Sequence, residues 1–201
     1  MGRFQIPPLC HCVDRKGAWF FALASAVAFR LFFSITAGAQ DNSEGIRVMA
    51  REKSLAESFL VILNDYGKKD VGQYATGITR YAAAKAEFDG LITELEHELR
   101  QPSPPDQSAA FDGALKEAVD KRVAFTSFVT DTILPHSENP PKGIVGDFIK
   151  GSGDLIRVLT DAGIAIWREF RSSNEARRSE IKQELESLRW PQFSAAAGKA
   201  G

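Results

Sequence analysis

Residues 70–105 read DVGQYATGITRYAAAKAEFDGLITELEHELRQPSPP. Tyr74, Tyr81, Phe88 and Leu95 recur at seven-residue intervals, and Ile78, Ile92 and Leu99 share their face. Apolar residues spaced this way fall on one side of an α-helix. Asp70 stands where an N-cap belongs, because its short carboxylate can accept an orphan backbone N–H of the first turn. The helix is expected to run to about Arg100. Pro102, Pro104 and Pro105 then end it, since proline lacks the N–H and clashes with the preceding turn.

The same period extends outward in both directions. Ser54 with Glu57 forms a capping box and predicts the start of an earlier helix carrying Leu55, Phe59, Ile62 and Tyr66, with Gly67 as its closing glycine. Residues 40–53 then read as a linker. After the prolines, Asp106 or Ser108 caps a helix whose stripe is Phe111, Leu115, Ala118, Phe125, Val129 and Ile133. Pro135, Pro140 and Pro141 mark a loop, followed by a short helical piece over residues 144–150 and a hinge at Gly151-Ser152-Gly153. A helix over residues 154–171 has a broad apolar sector: Leu155, Val158, Leu159, Ala162, Ile166, Trp167 and Phe170. Such breadth predicts a helix covered on most sides. Ser172 with Glu175 is a second capping box, and Ile181, Leu185 and Leu188 give the last helix a narrow stripe that Trp190-Pro191 ends. Alternating runs bounded by hairpin turns do not occur. The expected fold is therefore all-α, an antiparallel bundle of about four main helices with a short helical insertion.

An export signal is expected to precede it. Arg3, Arg15 and Lys16 come before an apolar run from Ala18 to Ile35, and Ala37-Gly38-Ala39 offers small residues to a signal peptidase. Residues 1–39 read as a signal cleaved after Ala39, residues 54–193 as the helical domain and 194–201 as a disordered tail. The alternative is an uncleaved anchor over residues 18–39. Arg30 opposes it, because a charge at the centre of a membrane helix costs about 2.5–3.5 kcal/mol. Either way the body lies outside the cytoplasm, and any membrane contact runs only through residues 18–39.

Hydrophobic residues make up 44% and charged residues 25%. Those proportions suit a globular chain and exclude a polytopic membrane protein. Both cysteines, Cys10 and Cys12, precede the apolar run, so the body needs no disulfide. Without residues 1–39, 21 Lys and Arg face 25 Asp and Glu, a net charge of −4. That balance gives no reason to expect nucleic acid.

Glu94 and His97 have the E-x-x-H spacing of metal-binding helices, but such sites need a second copy of the motif. The expected reading is a solvated charged face, with no metal and no cofactor. Nucleophile, Walker and dinucleotide motifs are missing. Two features depart from a plain bundle. Gly72, Thr76, Thr79, Ala83, Ala86 and Gly90 line the side of their helix opposite the aromatic stripe; they read either as an exposed Ala/Thr surface or as a face that admits close approach of another helix. Lys85 lies in the file of Ile78 and Ile92, Arg122 within about 20° of the centre of its helix's stripe, and Glu169 at the edge of another. These three charges read either as snorkelling stems or a structural ion pair, or as a polar pocket between helices, with Glu169 serving the two cations and a positive surplus left for an anion. The expected function is a non-enzymatic envelope interaction module that binds another envelope protein or a second copy. The alternative is a carrier of a small ligand bound between helices, an anion being one candidate.

Overall fold

A computed structural model describes residues 43–67, 69–136 and 152–193. The expected signal, the piece at 144–150 and the tail lie outside them. The described residues are all-helical, with five helices and no strand: α1 (Glu44–Gly67), α2 (Val71–Glu98), α3 (Ala109–Phe128), α4 (Ser152–Ser172) and α5 (Glu175–Ser187). None is long and apolar enough to cross a membrane.

The N-terminal boundary of α1 differs from the expectation. Residues 44–53 are helix, not linker, and Ser54 sits in mid-helix. Ser43 Oγ accepts the Ile46 N–H at 3.2 Å and does the capping. The local reason is a stripe that the charged residues of this stretch concealed. Ile46, Met49, Glu52, Ala56, Phe59 and Leu63 follow at helical spacing, and all are buried. Gly45 marks the closest approach of α1 to α4. A Cβ there would stand 2.3 Å from the carbonyl oxygen of Ala162, backbone that cannot easily give way.

Asp70 caps α2 by accepting the Gln73 N–H, and Ser108 caps α3 by accepting the Phe111 N–H. The aromatic file of α2 is buried at Tyr81, Phe88 and Leu95, and every expected stripe residue of α3 is in the core. Val129–Ile133 forms a π-helical turn that continues α3 and keeps both of its ends buried. Helix α5 starts afresh, capped by Asn174 rather than Ser172. Ser172 instead donates back to the carbonyls of Arg168 and Glu169. The last carbonyls of α4 are met by Arg178, whose Nε donates to Phe170 O and Nη2 to Arg171 O.

The main packing joins α2 to α3 and α1 to α4, with α3 also on α4 and α5 on both α2 and α4. Beyond α5 the chain turns back along α2. Trp190 is 2% exposed. Its ring stacks on Tyr81 and Phe88, with centroids 5.8 and 5.1 Å away. The Tyr81 hydroxyl donates to Pro191 O at 2.7 Å. Burial pushes that phenol far above its ordinary pKa, and the nearby charges of Asp89 and Glu57 push the same way.

Among the described residues, no helix of this chain covers the small-residue stripe. Gly72, Thr76, Thr79, Ala83, Ala86 and Gly90 are all exposed. Close approach on α2 occurs elsewhere, at Gly77, where a Cβ would meet Leu63 Cδ1 at 2.4 Å. Ala83→Leu is therefore expected to leave stability within about 0.5 kcal/mol of the parent. A clear drop in melting temperature would show the face to be covered.

Candidate functional site

Arg122 is 4% exposed, as its place on the stripe of α3 required. Its partner is not Glu169 but Glu52 of α1, itself 7% exposed. Arg122 Nε donates to Glu52 Oε2 at 3.2 Å and Nη2 to Oε1 at 3.5 Å. This is the two-pronged match of guanidinium to carboxylate. Burial pulls the Arg122 pKa down, and the charge and hydrogen bonds of Glu52 act against that pull. Thr126 on the next turn donates to the Arg122 carbonyl at 2.8 Å.

The pair lies at a cleft of about 170 Å³ lined from three helices. Helix α1 gives Val48, Arg51, Glu52 and Leu55; α3 gives Arg122; α4 gives Asp154, Leu155 and Val158. The walls are chiefly aliphatic. Val158 was expected under cover, yet it is 38% exposed because it stands on the cleft wall. The lining carries Arg51 and Arg122 against Glu52 and Asp154, so its formal charges balance. The positive surplus inferred from sequence is not there.

The other two expected members of the pocket lie elsewhere. Lys85 pairs with Asp89, four residues on, and both are half-buried. Asp89 in turn accepts the Trp190 backbone N–H at 3.0 Å, so Lys85 steadies the return of the chain along α2. Glu169 pairs with Arg177 at 2.7 Å. Arg177 also donates to Glu180 and Glu184 at 3.1 and 3.0 Å. Burial works against the Arg177 charge, but hydrogen bonds from Glu169, Glu180 and Glu184 outweigh it, and its pKa is raised.

Trp167 is half-buried rather than fully in the core. Its indole N–H donates to Gln101 O at 3.3 Å, and Arg171 lies 5.7 Å over its ring. Glu98, which the sequence did not single out, is 5% exposed at the end of α2 and accepts the Ser108 hydroxyl at 2.7 Å. The described lining of the cleft thus combines four charged and four aliphatic side chains. Compared with family models, curated proteins and solved structures, the chain matches none.

Proposed function

We propose that this chain is an exported, non-enzymatic binding protein of the cell envelope, an antiparallel helical bundle that holds a small ligand in the cleft between α1, α3 and α4. One observation carries the reading: a buried, two-pronged Glu52–Arg122 pair at an aliphatic cleft. A buried ion pair is seldom the most stable filling of a core, because desolvating both charges offsets most of their attraction. Its presence beside a cavity therefore supports a role in recognition. The balanced lining favours a small, mostly apolar ligand with one polar end over a simple anion. Native mass spectrometry of protein purified from its producing cells tests this. The wild type should carry a non-covalent small mass that Val158→Arg, which fills the cleft from an exposed position, does not. Bare wild-type protein would sink the carrier reading.

A second reading, the interaction module, is favoured by the exposed small-residue stripe of α2. It gives a flat surface for another envelope protein or a second copy. In that case Ala83→Leu weakens the complex in sedimentation while leaving the fold unchanged.

A further inference from the structure

The end of α2 brings together three donor residues, the Glu94 and His97 of the E-x-x-H spacing and Glu98. Glu94, His97 and Glu98 lie at the spacings that place side chains on one helix face. One donor atom from each lies within 4.8 Å of the others. His97 Nδ1 is 3.4 Å from Glu94 Oε1 and 3.8 Å from Glu98 Oε1. Donor atoms around a tetrahedral zinc ion stand about 3.3 Å apart, as ligand bonds of about 2.0–2.2 Å require. The two separations from His97 need to close by a few tenths of an ångström, and the two carboxylates, within 4.8 Å, draw together around the ion by side-chain rotation.

Burial of Glu98 supplies the second observation. Its carboxylate is nine-tenths out of water, yet among the described residues no Lys or Arg pairs with it. A buried carboxylate without a cation is costly. What faces it is the Ser108 hydroxyl and the His97 imidazole. Glu94 and Glu98 are also like charges four residues apart, a repulsion that a cation between them relieves. Gln101 stands 3.3 Å from the far nitrogen of His97, Nε2. With its carbonyl turned inward it accepts Nε2–H, which leaves the lone pair of Nδ1 for a metal.

We propose that Glu94, His97 and Glu98 bind one divalent transition-metal ion of the zinc class at the exposed end of α2, with water completing its coordination. One imidazole with two carboxylates suits such ions better than magnesium or calcium, which take oxygen ligands alone. Two carboxylates also neutralise the ion. The ion joins the end of α2 to the cap of α3, because Ser108 holds Glu98 while capping Phe111. The site is independent of the cleft and of what the cleft holds.

Calorimetric titration of the full chain with zinc chloride tests the proposal, repeated in excess magnesium chloride. The wild type should bind one zinc saturably, unaffected by magnesium. His97 is exposed, so His97→Ala keeps the fold, checked by circular dichroism, and should weaken binding about tenfold or more. Glu98→Gln should do the same. Absence of saturable zinc binding, equal affinity in His97→Ala, or displacement of zinc by magnesium overturns it.

Discussion

Arg122→Met should lower the stability of this protein by about 3–5 kcal/mol, because it leaves Glu52 buried without its cation. Adding Glu52→Leu should restore most of that loss. The double change removes both desolvation penalties and fills the space with aliphatic atoms beside Val48 and Leu55. The signature is a large favourable coupling between two single changes that are each severe. Urea unfolding of the parent, both single variants and the double measures it. Additive losses would mean that Glu52 and Arg122 act separately, and the pair would lose its place as the organising feature of the cleft. Pairing Arg122→Met with Glu169→Gln should show no such rescue, since Glu169 answers to Arg177.

The second large effect belongs to Trp190. Trp190→Ala should cost about 3–5 kcal/mol, the range for removing a buried large aromatic side chain. The ring is packed against Tyr81 and Phe88, so most of the loss is burial and stacking. Among the described residues its buried indole N–H has no hydrogen-bond partner, so that N–H adds no stabilisation and carries a desolvation cost. Trp190→Phe should therefore be much milder than Trp190→Ala in thermal unfolding. Equal losses in the two variants would point to the indole nitrogen instead of the packing.

The helices were legible where one face repeats without competition. Helix α2 shows this best: its aromatic file, its Asp70 cap and its proline stop all point the same way. Helix α1 was misread at its start because Ser54 and Glu57 satisfy a capping pattern that mid-helix residues can also satisfy by chance. That error hid Glu52. A carboxylate in an apparent linker gives no sign that it lies on the stripe of Ile46, Met49 and Ala56. Arg122 was visible from its angle on α3, but its partner depends on how α1 packs, which spacing along one helix does not contain. Lys85 was placed on the right file, and its answer, Asp89, lay four residues away on the same helix. Glycines were the hardest to read. The stripe from Gly72 to Gly90 looks made for close packing and is exposed. Among the described residues, Gly45, Gly67, Gly77 and Gly163 are the ones against which neighbours close.

The return of the chain along α2 has a consequence for when this protein can finish folding. Asp89 and Trp190 are 101 residues apart in sequence, and Tyr81 and Pro191 are 110 apart. Contacts this distant close large loops and slow the final step of folding. Synthesis at about 5–20 residues per second puts roughly 5–20 s between the appearance of Asp89 and that of Trp190. Throughout that interval the growing chain presents Tyr81 and Phe88 without their cover. A nascent chain in that state is open to chaperones until Trp190 emerges and closes over the two rings.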